Sequence, residues 1–120
     1  MLRNGGSYNG QQILRPETAA AMVMRQRVGL YDLTFQKTLD WGLGIILNSD
    51  HYGPGIPYQF GPCASRDTFG HGGSQSSTGL CDPVRKLVVT LLFNGTPGNP
   101  AHDKRLRSTL QALYEDLGFA

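Results

Sequence analysis

Between Trp41 and Leu47 the large side chains Trp41, Leu43, Ile45 and Leu47 alternate with Gly42, Gly44 and Ile46. This period of two predicts a strand whose glycine side lies close to another backbone. From Leu87 to Phe93 the run Leu-Val-Val-Thr-Leu-Leu-Phe has almost no polar break, which predicts a strand covered on both faces. After Asn99-Pro100 the period lengthens. Leu106, Leu110, Leu113 and Leu117 fall on one stripe of a helix that Asn99 can cap, Pro100 opens and Gly118 ends. Lys104, Arg107, Gln111 and Glu115 fall on its solvent side. Upstream, Pro16 and the helix formers after it predict a helix over about 16–26, with Arg15 where a capping residue would stand.

Turn chemistry divides these elements. Gly5-Gly6-Ser7-Tyr8-Asn9-Gly10 reads as a turn, and the Pro- and Gly-rich stretch from Ser49 to Pro62 as a loop with room for a short strand at Tyr58-Gln59-Phe60. Thr68–Gly73 and Thr78–Cys81 read as strands joined by the short Ser74–Ser77 connection. Asp82-Pro83-Val84-Arg85 has Asp first and Pro second, as type I turns do. The resulting order predicts an α+β fold, an antiparallel β-sheet flanked by helices, with no internal repeat.

Composition narrows the function. A chain of 120 residues with 39% hydrophobic and 17% charged positions suits one globular domain. A net charge of +2, from 11 basic and 9 acidic side chains, is too weak a field to argue for nucleic acid as a partner. No stretch approaches the roughly 18 apolar residues of a transmembrane segment. Met1–Gly6 has no apolar signal-peptide core, and no compartment is read from the chain. Cys63 and Cys81 lack metal or redox spacing and read as unpaired, mostly buried thiols. Asn94-Gly95-Thr96 has the form of a glycosylation sequon but reads more simply as a turn after a strand. Neither His51 nor His102 has metal-ligand spacing, so both are expected at the surface, with no metal and no cofactor. Trp41 is expected as a core anchor.

The chemistry concentrates at Phe69-Gly70-His71-Gly72-Gly73-Ser74. Glycines beside a histidine on a strand let a substrate lie along the backbone and bond to it. A Gly-rich turn with one surface histidine is the bland alternative. A phosphate loop would need Gly-Lys-Ser or Gly-Lys-Thr, and an α/β-hydrolase oxyanion loop a later Gly-x-Ser-x-Gly; residues 74–120 contain neither. Ser74, Ser76 and Ser77 have no Lys or His placed in sequence to activate them and read as turn serines rather than nucleophiles.

His71-Gly72-Gly73, followed by an apolar strand and preceded by Trp41-Gly42-Leu43-Gly44, resembles the third catalytic motif of the β-lactamase-related serine hydrolases. This superfamily includes class C β-lactamases, penicillin-binding proteins and esterases, whose motif is Lys-Thr-Gly or His-x-Gly. Leu14-Arg15-Pro16-Glu17-Thr18 is similar to a Leu-Ser-Pro-Glu-Thr helix start common in the family. The resemblance runs from about Asn4 to Phe119, and implies the C-terminal part of the β-lactamase/transpeptidase-like fold, with residues 1–120 a fragment of a single domain. It implies catalytic positions at His71 and Ser74, the latter giving an oxyanion-hole N–H, and substrate-binding positions at Gly72 and Gly73. The substrate would be a small ester, amide or peptide, bound by the full-length parent. The nucleophile and its base are missing: no Ser is followed three residues later by Lys, and no Tyr two residues later by Asn. His71 in place of the motif's lysine removes a permanent cation, which favours ester-like or peptide-like substrates over a penicillin carboxylate. The other reading is a non-catalytic scaffold or interaction module that retains the fold.

Overall fold

The computed structural model describes residues 1–53 and 60–119. Two small antiparallel hairpins, β1 (Ser7–Tyr8) with β2 (Gln11–Gln12) and β3 (Tyr31–Asp32) with β4 (Lys37–Thr38), stand beside a five-stranded sheet. That sheet runs β5 (Asp40–Trp41), β6 (Ile46–Leu47), β7 (Phe69–Gly73), β8 (Ser77–Asp82), β9 (Leu87–Leu92), antiparallel throughout. Helix α1 (Pro16–Val23) precedes it and helix α2 (Asn99–Asp116) follows. The α+β class is as the sequence predicts. So is the strand order: Gly70 pairs with Leu80, and Leu80 with Val89.

Both sheet faces carry core. On one, Ile46, Phe60, Leu80 and Val89 pack with Leu110 of α2, with Phe35, Trp41 and Leu113 at the margin. On the other, Leu47, Phe69 and Cys81 pack with Leu2, Ile45 and Val23 at the end of α1. Cys63 and Cys81 are free thiols, and burial pushes the Cys81 thiol up.

Four expectations need correction. The stretch from Trp41 to Leu47 is not one strand but a hairpin: Gly44 takes φ +70°, and the Gly42 N–H donates to the Ile45 carbonyl at 2.8 Å. Reversing the chain inverts the pattern, so Leu43 is 55% exposed while Ile46 is buried. The expected close backbone does exist at Gly42, where an added Cβ would sit 2.2 Å from the Met22 carbonyl oxygen. Helix α1 stops at Val23, short of residue 26, because the next residues bond to β5 instead. The Gln26 and Arg27 N–H groups donate to the Trp41 carbonyl at 2.8 and 3.1 Å, and the Trp41 N–H to the Arg27 carbonyl at 2.9 Å.

Strand β9 is covered on one face only. It is the sheet's edge, and Val88 and Leu92 are 61% and 82% exposed on the side away from α2. Helix α2 buries His102, Leu106, Leu110 and Tyr114, a strict four-residue ridge, while Leu117 stays exposed. His102 is therefore a core residue rather than a surface one. The N-cap is Gly98, at φ 93°, and its N–H donates to the Gln75 side-chain oxygen at 2.9 Å. The Tyr58–Phe60 strand lies outside the described residues apart from Phe60, which is buried and irregular.

With Val88 and Leu92 joined by Leu33, Val84, Tyr31 and Leu30 among the exposed apolar residues, the purified chain is expected to bind anilinonaphthalene sulfonate or to self-associate. Dye fluorescence and sedimentation velocity check this; a monodisperse monomer without dye binding would contradict it.

Candidate functional site

The histidine-glycine segment lies on β7 in the middle of the sheet. Gly70 fixes its seat: a Cβ there would stand 2.2 Å from the Gly79 carbonyl oxygen and 2.9 Å from the Leu80 Cα across the β7–β8 pairing. At Gly73 the added carbon would meet only the Ser77 hydroxyl, at 2.3 Å, a group that can swing away.

The free edge of β7 follows from alternation. The Asn48 N–H donates to the Thr68 carbonyl at 2.8 Å, so Thr68, Gly70 and Gly72 turn their backbone groups toward β6. Strand β6 pairs Ile46 with Gly70 and Leu47 with Phe69 and goes no further. The Gly72 backbone thus looks past the end of β6, and among the described residues no strand pairs with it there. His71 is exposed; its Nδ1 lies 2.7 Å from the Gly72 carbonyl oxygen. Because a carbonyl only accepts, Nδ1 carries the proton, which leaves Nε2 as the acceptor of a neutral ring. The imidazole lies 5.9 Å from the Trp41 ring, itself 5.8 Å from Phe35. Trp41 is a half-buried margin of the core, and its indole N–H is buried without a partner.

Ser74 leaves the strand. It opens the tight Ser74-Gln75-Ser76 turn, in which Gln75 takes φ +53°, so the expected strand through residue 74 ends at Gly73. Ser74 lines a cleft of about 570 Å³, bounded also by the Thr34–Lys37 turn and by Asn99, Pro100, His102 and Asp103 at the start of α2. Burial pushes the Asp103 carboxyl up against the opposing pull of His102 and Lys37. Burial, helped by Arg105, holds the His102 imidazole below its ordinary range. Of the four positions expected for chemistry, His71, Gly72 and Gly73 share the strand edge and Ser74 turns from it into this cleft.

Two other recesses lie outside that edge. An apolar groove of about 540 Å³ runs past Leu2, Val23, Leu47 and Phe69, with Arg3 and Arg25 at its sides. A hollow of about 220 Å³ holds Asn48, Asp50, His51 and Arg66, and burial pushes the Asp50 carboxyl up there. His51 is exposed, as expected, with Nε2 3.8 Å from the buried Asp40 carboxylate. That carboxylate is already bound by Arg25, by the Gly29 N–H at 3.1 Å and by the Tyr52 hydroxyl at 2.9 Å. Among the described residues no group of His, Cys, Asp and Glu could hold a metal, and no helix is long and apolar enough to cross a membrane.

Sequence reasoning passed over the Ser-x-Asn spacing at Ser7-Tyr8-Asn9. The structure places it in the β1–β2 hairpin, with Asn9 exposed at φ +49°, a turn conformation. It also passed over Lys37, His102 and Asp103, which come together only in three dimensions. The first-turn position of His102 on α2 was the available signal, but nothing local marks its burial.

The comparisons place this geometry among known proteins. The Beta-lactamase family model matches residues 1–114. A penicillin-binding protein homologue from Caulobacter crescentus is similar at TM-score 0.60 and 23% identity, over 90% of this chain and 28% of that one. A β-lactamase from Mycobacterium bovis is similar at TM-score 0.64 and 21% identity, over 87% of this chain and 38% of that one. The chain thus spans well under half the length of either structure, and at these identities the likeness is one of fold. No curated protein matches it.

Proposed function

Because the chain belongs to the β-lactamase family, we propose that it is the C-terminal part of one such domain and supplies one wall of a serine acyl-transfer cleft. His71-Gly72-Gly73 stands in for the family's Lys-Thr-Gly, and Ser74 for the residue whose N–H helps to stabilise the oxyanion. The observation that carries this reading is the β7 edge: Gly72 presents backbone groups beyond the end of β6, where an extended substrate can bond to them. Gly73 keeps side-chain bulk off that edge. The His71 ring, tied to the Gly72 carbonyl, directs Nε2 as an acceptor toward a hydroxyl or amide donor.

In the parent enzyme a serine Oγ would attack the substrate carbonyl and pass its proton through a base to the leaving alcohol or amine. Water would then release the acyl group. Neither Ser-x-x-Lys nor Tyr-x-Asn occurs here, so that serine and base come from polypeptide outside these 120 residues. The same missing motifs favour the second reading, a retained fold that binds without turning over.

The chain alone is expected to hydrolyse neither nitrocefin nor p-nitrophenyl esters above background, since donors without nucleophile and base give little turnover. Turnover that co-purifies with the chain and disappears in Ser74→Ala would overturn the assignment. A chimera that joins this chain to the N-terminal part of the M. bovis β-lactamase tests the positive side. Once circular dichroism and a cooperative melt show that it folds, it should be acylated by a fluorescent penicillin or an activated ester. A folded chimera that is never acylated supports the non-catalytic reading.

A further inference from the structure

The cleft beside Ser74 contains a donor that nothing in the fold uses. His102 is 1% exposed and lines that cleft, and its Nδ1 lies 3.2 Å from Arg105 Nε. A guanidinium only donates, so Nδ1 is the acceptor and the proton of the neutral ring sits on Nε2. Nε2 has no hydrogen-bond partner. A buried N–H left in this state is costly, and native structures keep very few of them.

The ring is not free to turn toward a better partner. Arg105 is held by the Gln75 carbonyl at 2.6 Å and the Gly95 carbonyl at 2.9 Å, and its guanidinium lies 4.3 Å from the centre of the Phe93 ring. Phe93 meets the imidazole edge-on, with centroids 6.0 Å apart. The donor is thus fixed on one side by an arginine and on another by an aromatic edge.

We propose that the cleft between the Ser74-Gln75 turn, the Phe35–Lys37 turn and the first turn of α2 binds an uncharged hydrogen-bond acceptor, an ester or amide carbonyl, with His102 Nε2–H as its buried donor. Charge selects that class. Lys37 is balanced by Asp103 across the same cleft, so an anion gains no net attraction and meets a carboxylate on entry. The first turn of α2 carries no acidic residue and adds the partial positive charge of its unpaired N–H groups, which suits the partial negative charge of a carbonyl oxygen. Burial and Arg105 disfavour the imidazolium that would draw an anion. At about 570 Å³ the space accommodates a small organic group. Binding rests on this geometry alone. That the bound carbonyl belongs to an acyl or leaving group of the substrate rests on the reading given under Proposed function.

The test uses the full chain, labelled with 15N, and follows the His102 Nε2–H in long-range histidine spectra. The probes are N-methylacetamide, ethyl acetate and sodium acetate, each titrated separately. The amide and the ester should shift the Nε2–H resonance saturably, together with the backbone amides of Ser74 and Asp103, and acetate should bind at least on the order of tenfold more weakly. His102→Phe, which keeps an aromatic ring but removes the donor, should lose the saturable shifts; His102→Gln, which restores a side-chain N–H, should recover part of them. Folding of both variants is checked from their amide dispersion. Acetate binding as well as the amide would overturn the charge argument. Absence of any saturable shift, or shifts unchanged in His102→Phe, would overturn the site and leave a trapped water as the partner of Nε2. No hydrolysis is measured, so this site can fail or stand independently of the acyl-transfer assignment.

Discussion

Asp82→Ala is expected to destabilise the chain by about 3–5 kcal/mol, the cost of leaving a buried cation without its partner. The carboxylate is fully buried at the end of β8 and accepts from three separate parts of the chain. Ser65 gives its N–H at 3.0 Å and its hydroxyl at 2.7 Å, Arg85 gives its N–H and a guanidinium N–H at 3.2 Å each, and the Tyr114 hydroxyl donates at 3.1 Å. The methyl of alanine accepts none of these. Burial, followed by the Asp82 charge, raises the Tyr114 phenol well above its ordinary range, so it remains a donor with nothing to receive it. Urea unfolding should show a large drop in midpoint at unchanged slope, with Asp82→Asn falling between the variant and the parent. A loss below about 1 kcal/mol would mean that the cluster does not join the β8 end to α2.

The same carboxylate sets an acid limit. Burial pushes its pKa up, but the Ser65 backbone and side-chain bonds, the Arg85 N–H and Tyr114 outweigh burial and leave it below the ordinary value. A carboxylate whose folded pKa is depressed stabilises the fold above its unfolded pKa of about 3.9, and that contribution disappears as pH falls through the folded value. The melting temperature should therefore decline more steeply below about pH 4 in the parent than in Asp82→Asn. Parallel declines would remove Asp82 as the titrating group.

How much of this was legible depends on how local the determining interactions are. The β7-β8-β9 order could be read because the Ser74-Gln75-Ser76 and Pro83–Lys86 connections are too short to permit anything but neighbouring antiparallel strands. The Trp41–Leu47 hairpin was hidden because glycine at every second position fits a close-packed strand and a glycine turn equally well, and only the pairing of Trp41 with Ile46 decides between them. The open face of β9 was hidden for a different reason. An all-apolar run specifies that both faces prefer cover, whereas what lies over Val88 and Leu92 depends on the rest of the fold. His102 was read as a surface residue because its surroundings in sequence are polar, yet its burial comes from Phe93, Arg105 and the cleft wall. At the candidate site, residue types alone located His71-Gly72-Gly73. The edge that gives them meaning depends on where β6 stops, which no residue in that segment records.

Gly70→Val is expected to prevent stable folding, and Gly70→Ala to cost about 3 kcal/mol or more, at the upper end of what overpacking costs. The reason is geometric rather than conformational, since Gly70 has no positive φ. Its hydrogen faces the neighbouring strand, where a Cβ would lie 2.2 Å from the Gly79 carbonyl oxygen and 2.9 Å from the Leu80 Cα. Both are backbone atoms of a paired strand, so relief requires β7 and β8 to separate, and with them the Ile46–Gly70 and Leu80–Val89 pairings that close the core. The control is Gly79 on the facing strand, which also lacks a positive φ and has no atom within 4 Å of its added Cβ. There an alanine should be neutral or stabilise by up to about 1 kcal/mol, because glycine in a strand loses more entropy on folding than alanine does. Urea midpoints of the two alanine variants, compared under one set of conditions, decide the matter. Equal effects at Gly70 and Gly79 would show that β7 does not lie against β8 in this register, and the presentation of His71 and Gly72 at the open edge would fail with it.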